Sequence, residues 1–208
     1  MKKRLLSLFL ALCLLAALLP AAVLAEDTVI DLDKENIKRG YSETGYKYTF
    51  PTGRYRLAED IQLGHPDYGG GLVILEFEGD VTFDLNGHIL RATEDDLFLI
   101  DVGEGVTKTH LTLIDSRPEA KHEKPIEVDG QEIDGGMIYG LQGKNSGNNY
   151  CFAVNSNATF TMQGGSIVSG ECLNTQGNGA DDYSPGGVFV LGTFNMTGGR
   201  IIGCSTEV

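Results

Sequence analysis

The chain has 208 residues, with 29 acidic side chains against 16 basic ones and a formal net charge of −13 at pH 7. Such an excess of carboxylates repels DNA, RNA and anionic lipid surfaces, which excludes nucleic acid as a partner class. It leaves Ca²⁺ open as a cofactor, because hard cations favour oxygen ligands.

Residues 1–25 carry the pattern of an export signal. Lys2, Lys3 and Arg4 open it, an apolar run from Leu5 to Leu19 follows, and Pro20 breaks the run. Val23-Leu24-Ala25 then offers small residues for cleavage between Ala25 and Glu26. The alternative is an N-terminal membrane anchor, but the run is short for a span, so no membrane insertion is expected after cleavage. Cys13 follows the bulky Leu12, which argues against lipid attachment. Cleavage removes three cations and no acid, taking the charge from −13 to about −16, and leaves 183 residues (208 minus 25). That is enough for one good-sized domain, expected to be secreted or held at the cell surface.

No helix is expected beyond the signal. Runs are short, rich in Val, Ile, Phe, Tyr and Thr, and stop at Gly, Asn or Asp. Residues 26–52 open on Thr28-Val29-Ile30-Asp31-Leu32 and read as an N-terminal segment or cap. Tyr55, Leu57, Ile61 and Leu63 suggest a strand pair or first rung, and Leu72-Val73-Ile74-Leu75 a strand buried on both sides. In Val81 to Ile89, Val81, Phe83 and Leu85 point inward, Thr82 and Asp84 outward, and Asn86-Gly87 makes a corner. Leu97 to Val102 and Leu111 to Asp115 give two further strands.

Near the end the chain repeats itself. Thr159-Phe160-Thr161-Met162-Gln163-Gly164-Gly165-Ser166-Ile167 returns as Thr193-Phe194-Asn195-Met196-Thr197-Gly198-Gly199-Arg200-Ile201, 34 positions on (194 minus 160). A fixed period of this size marks stacked units that cannot bury their apolar faces alone. Phe194 is expected to stack on Phe160 and Ile201 on Ile167. Gly135-Gly136-Met137-Ile138 shares the GGxI element, and the Val81 phrase resembles the repeat with one residue fewer between Phe83 and Ile89. The charged stretch 117–134 then reads as a loop inserted at a corner, and 174–185 as a second. Such insertions lie on one face of a solenoid, often the face that binds.

These residues resemble the right-handed parallel β-helix proteins secreted by gut Firmicutes, whose rungs read GGVFV-x-GTFxMxGGxI. Gly186-Gly187-Val188-Phe189-Val190 through Ile201 carries the likeness, as do Gly53-Arg54-Tyr55-Arg56-Leu57 and Asp84-Leu85-Asn86-Gly87-His88, so it spans about 53–114 and 135–208. The resemblance implies an all-β fold, a right-handed parallel β-helix over 53–208, shared with pectate-lyase-like enzymes and adhesins. The third place of GGxI is Met137, Ser166 or Arg200, never Ala, and FxxN is absent after Phe160 and Phe194, so adhesin-type self-processing is not supported. Lyases of this fold use a basic residue beside acidic Ca²⁺ ligands, and Arg200 is the only basic residue in the two clear repeats. The helix is expected to need further rungs or a capping partner at its C-terminal end, since a last rung exposes unpaired backbone groups.

Candidate site residues remain sparse. Three cysteines follow the signal: Cys151, Cys172 and Cys204. Adjacent rungs lie about 4.8 Å apart, so Cys172 and Cys204 could bridge or stay free; no CxxC or His/Cys cluster points to a metal. Asp181-Asp182 could bind Ca²⁺ or be a solvated loop pair. Asp84, with His88, and Asp115 could supply the carboxylate pair of a glycosidase, or merely shape turns. Glu76, Glu78, Asp80 and Glu94-Asp95-Asp96 lack Ca²⁺-loop spacing, and His65, His88, His110 and His122 lack metal spacing. The acceptor motifs at Asn157 and Asn195 are taken as chance. Tyr68, Tyr139, Tyr150 and Tyr183 lie in or beside loops, where aromatic faces stack on sugars. The expectation is a non-enzymatic scaffold or adhesin-like binder of extracellular glycans or host surfaces. The alternatives are a polysaccharide lyase or glycoside hydrolase and a ligand-free structural stalk.

Overall fold

The computed structural model describes residues 28–37, 41–42, 47–63, 72–92, 97–104, 108–140, 142–144, 152–168, 171–173 and 187–206. Among them there is no α-helix. The first strands are β1 (Val29–Leu32), β2 (Tyr41–Ser42), β3 (Lys47–Phe50), β4 (Gly53–Leu57), β5 (Ile61–Leu63), β6 (Leu72–Phe77), β7 (Asp80–Asp84) and β8 (Ile89–Ala92). Then come β9 (Leu97–Val102), β10 (Thr109–Ile114), β11 (Glu127–Val128), β12 (Gln131–Glu132), β13 (Met137–Tyr139), β14 (Gln142–Lys144), β15 (Phe152–Val154) and β16 (Ala158–Met162). The last are β17 (Ser166–Val168), β18 (Glu171–Leu173), β19 (Val188–Val190), β20 (Thr193–Met196), β21 (Arg200–Ile202) and β22 (Ser205–Thr206).

Three sheets collect these strands. The first runs β1-β4-β7-β10-β16-β20, the second β5-β8-β13-β17-β21, and the third contains β3, β6, β9, β15 and β19 with β2, β14, β18 and β22. From β3 onward the chain visits third, first and second sheet in turn, five times over. Apart from β2–β3, β9–β14 and the small hairpin β11–β12, every described pairing is parallel. The chain is all-β with parallel strands in stacked sheets, an arrangement compatible with a parallel β-helix.

Alternation within each strand produces the core. Phe83, Leu113 and Met162 occupy one inward column of the first sheet, and Val81, Leu111, Phe160 and Phe194 the next. The rings of Phe160 and Phe194 stack at 5.1 Å with planes only 9° apart. In the second sheet Leu90, Ile138, Ile167 and Ile201 align, so the GGxI elements fall in register as expected. Gly165 and Gly199 hold φ of 78° and 80°, a left-handed turn closed to most side chains, which explains the second glycine of both repeats. The third sheet adds Phe50, Phe77, Val102, Val154 and Val190.

Two expectations need correction. Phe83 aligns with Met162, not with Phe160, and Leu90 rather than Ile89 joins the isoleucine column. The Asn86-Gly87 corner, with φ of 48° and 73°, lengthens that turn and shifts the match. The β6 strand is also not apolar on both sides: Val73 and Leu75 are fully buried while Ile74 is only half-buried and Glu76 shares its face. At the far end, members of the columns reach the surface, with Val190 39% and Met196 46% exposed.

Phe160 is fully buried between two rungs, so Phe160→Ala removes a ring that nothing else can replace. Equilibrium denaturation should show a loss of about 3–5 kcal/mol. Phe194→Ala, on a half-buried ring, should cost clearly less; equal losses would contradict this stacking order.

Candidate functional site

Polar chemistry gathers where the insertion between β10 and β13 folds back over the second sheet. One carboxylate ties the insertion down. Asp115 Oδ1 accepts the backbone N–H of Gly87 at 2.7 Å and of Arg117 at 3.2 Å, and Oδ2 accepts that of Gly136 at 2.6 Å. Both ends of the insertion and the corner of the preceding turn thus meet at Asp115. The approach is close: a Cβ on Gly87 would lie 2.5 Å from the Cβ of Ala120. Further along, His122 Nε2 lies 2.8 Å from the Gly135 carbonyl. Lys121 pairs with Asp134 at 2.7 Å, and that hydrogen bond raises the Lys121 pKa. Beneath the hairpin β11–β12, Ile133, Met137 and Val168 form a small buried cluster with Ile89, Ile126, Val128, Tyr139 and Ile202 packed on it.

Between this insertion and the outer face of β5 and β8 run two adjoining cavities of about 340 and 360 Å³. They share Lys34, Asp60, His122 and Glu123, so they form one groove. Its basic residues are Lys34, Arg91, Arg117, Lys121 and Lys124, and its acids Glu59, Asp60 and Glu123. Two of the acids are engaged. Glu59 faces Lys34 at 3.6 Å, and Asp60 Oδ1 accepts the Ile89 N–H at 3.0 Å and lies 3.2 Å from His88 Nδ1. Among the described residues Arg91 reaches the neutral Gln62, at 3.4 Å. Arg117 and Lys124 form no ion pair with a described residue. With Lys34 set against Glu59 and Lys121 against Asp134, the groove's cations without an ion-pair partner among the described residues are Arg91, Arg117 and Lys124.

A second polar cluster lies on the outer face of the third sheet. Glu76, 6% exposed, accepts from Lys47 Nζ at 2.8 Å and from Thr49 Oγ1 at 2.9 Å. Lys47 also reaches Glu104 at 2.8 Å. Burial alone would lower the Lys47 pKa, but hydrogen bonds to Glu104 and Glu76 outweigh it and push it upward. The same hydrogen bond holds the Glu104 carboxyl below its ordinary range. On the next strand Asp101, in register with Glu76 and 4% exposed, accepts a hydrogen bond from Asn155 Nδ2.

The residues singled out from the sequence fare unevenly. Asp84 Oδ1 accepts the N–H groups of Asn86 and Ser116, at 2.8 and 2.9 Å, so Asp84 and Asp115 both shape backbone turns. His88 and His122 both line the groove, and His88 faces Asp60 rather than Asp84. His110 faces Asp80 at 3.0 Å. Tyr139 is half-buried in the cluster under the hairpin, not displayed from a loop. Arg200 is exposed and lines a separate cavity of about 290 Å³ with Asp115, Asp134 and Ser166. Cys204 is exposed with a free thiol, and the register sets Cys172 opposite Thr206, two residues beyond it. Tyr68, Tyr150, Asp181, Asp182, Tyr183, His65, Ala25, Glu26 and the loop 174–185 lie outside the described residues. No group of three or more His, Cys, Asp or Glu placed to hold a metal occurs among the described residues. Sequence reasoning missed Lys34, Arg91, Arg117, Lys121 and Lys124; the one available signal was the charge of the inserted stretch. No family model, no curated protein and no solved structure matches the chain.

Asp115→Ala should release the insertion. Three backbone N–H groups lose a charged acceptor, costing about 3 kcal/mol, and limited proteolysis should then cut within 117–134 before the strands are attacked. For Lys47 the expectation is a pH effect. The depressed Glu104 carboxyl contributes stability above its ordinary pKa that is lost as pH falls through its folded value. The raised Lys47 ammonium contributes stability below its ordinary pKa that is lost as pH rises through its folded value. Stability from the pair thus holds between about pH 5 and pH 10. Lys47→Met should flatten the acid limb in urea titrations. It should also cost about 2 kcal/mol at neutral pH, at the low end for a broken buried pair because Lys47 is 32% exposed.

Proposed function

We propose that this chain is a secreted or cell-surface right-handed parallel β-helix module. It acts as an extracellular, adhesin-like scaffold that meets glycans or host surfaces through the faces carrying 117–134 and 174–185. Residues 1–25 would direct export and be removed after Ala25. The exposed ends of the inward columns, at Val190 and Met196, would receive further β-helix rungs or a capping partner. The observation that carries the proposal is the groove. A long insertion is clamped by Asp115 over the outer face of β5 and β8, and the cleft left between them is open, lined by charged and apolar side chains, and large enough for sugar units. A ligand-free stalk has no use for such a cleft.

One observation favours the enzyme alternative, a polysaccharide lyase or hydrolase. Glu76 and Asp101 are buried carboxylates in register on neighbouring strands. Both oxygens of Glu76 already have partners, as does Asp101, which suits a structural pair better than an acid and a nucleophile.

Binding of the purified protein to an immobilised panel of plant and host glycans, scored beside release of reducing ends, tests the choice. Retention on some glycans without new reducing ends is the expected result. Cleavage abolished by Glu76→Gln or Asp101→Asn would replace the binder with the enzyme.

A further inference from the structure

We propose that the groove between the insertion and β5–β8 takes a glycan bearing isolated anionic groups, a carboxylate or a sulfate ester, held by Arg117 and Lys124. This rests on the glycan-binding proposal and adds the ligand's chemistry. The first argument is charge. Lys34 is matched by Glu59 and Lys121 by Asp134, which leaves Arg91, Arg117 and Lys124 against Asp60 and Glu123, a small positive excess in a chain that carries 16 basic against 29 acidic side chains. Asp60 is further engaged by the Ile89 N–H and by His88.

The second argument is distribution. Arg117 lines one cavity and Lys124 the other, and neither has an ion-pair partner among the described residues. Arg91 lines the same cavity as Lys124, and its side-chain partner among the described residues is the Gln62 amide. A guanidinium offers a planar fork that matches a carboxylate or a sulfate, and an ammonium adds a mobile point charge. The third argument is what the lining lacks. Among the described residues no Phe, Tyr or Trp lines either cavity, so a neutral sugar would find only the small imidazoles of His88 and His122 to lie against. Affinity has to come from charge-assisted hydrogen bonds.

The surroundings limit how much charge the ligand can carry. Outside the groove the acid excess repels anions, so a densely charged polyanion gains at two points and loses along the rest of its length. A glycan with one or two separated anionic groups gains without that loss.

Titration calorimetry on the purified protein at low salt, with 3′-sialyllactose, 6-O-sulfated lactose, lactose and an oligogalacturonate, tests this. The two mono-anionic sugars should bind about tenfold more tightly than lactose and more tightly than the oligogalacturonate. At least one of Arg117→Gln and Lys124→Gln should weaken their binding several-fold, with an unchanged denaturation midpoint showing that the fold is intact. Preference for the carboxylate or the sulfate sugar identifies which group the groove takes. Equal binding of lactose, or unaltered binding by both variants, overturns the inference and leaves the glycan proposal standing. Tightest binding of the oligogalacturonate overturns the requirement for isolated charge. Retention of glycans on the panel with none of these sugars bound also overturns it, and no retention on any glycan removes both proposals.

Discussion

Parallel register is the constraint on which everything else in the molecule hangs. The inward columns, such as Val81, Leu111, Phe160 and Phe194, place each apolar side chain directly over its counterpart one turn away. Side chains alternate along a strand, so a slip of one residue in any rung would turn its Phe and Met outward and its Thr and Asn inward. The hydrophobic term that holds each rung is therefore also the term that fixes its register. The distances between paired residues show where freedom remains. Tyr55 pairs with Phe83, Phe83 with Leu113, Leu113 with Met162 and Met162 with Met196, sequence steps of 28, 30, 49 and 34. The columns stay aligned while the corners absorb the difference. Extra chain can enter only between strands, and the largest described addition, between β10 and β13, is the one that builds the groove.

An insertion held only by its ends would sample many positions, and ordering it has an entropic cost of about 1–2 kcal/mol per residue. Asp115 reduces the freedom at both ends at once through its bonds to Arg117 and Gly136, and its third bond to Gly87 fixes the insertion to the turn below. The hairpin then adds burial of Ile133 against Met137 and Val168. Stability and site geometry thus share one carboxylate. This explains why Asp115, for which the sequence offered either half of an acid pair or a turn-shaping role, has its oxygens committed to backbone donors.

Much of the fold was legible because its signals are local. Alternation in Val81-Thr82-Phe83-Asp84-Leu85 gave the inward set correctly, and the paired glycines with Ile138, Ile167 and Ile201 gave the register of the second sheet. The misalignment of Phe83 with Phe160 arose where locality fails. Matching aromatic to aromatic ignores corner length, and the Asn86-Gly87 turn carries more residues than the glycine pairs do. Tyr139 does stand at the end of β13, but it packs against the cluster of Ile133, Met137 and Val168, a partly buried setting its sequence neighbours do not reveal. The basic groove was hidden because it belongs to no single segment.

Lys34 comes from beside the first turn, Arg91 from β8, and Arg117, Lys121 and Lys124 from the insertion. Each is unremarkable where it stands in the chain. They converge because the parallel stack returns successive turns to the same face and because Asp115 folds the insertion back across that face. An acidic protein gains little by dispersing its few cations, since each would be neutralised by nearby carboxylates. In the groove Lys34 and Lys121 are matched by Glu59 and Asp134, while Arg91, Arg117 and Lys124 have no ion-pair partner among the described residues. Local positive potential on an anionic surface is inherently selective. It attracts an anion small enough to stay within the groove and repels one that extends beyond it. The same register that buries Phe160 thereby sets both the position of the groove and the size of the charge it can accept.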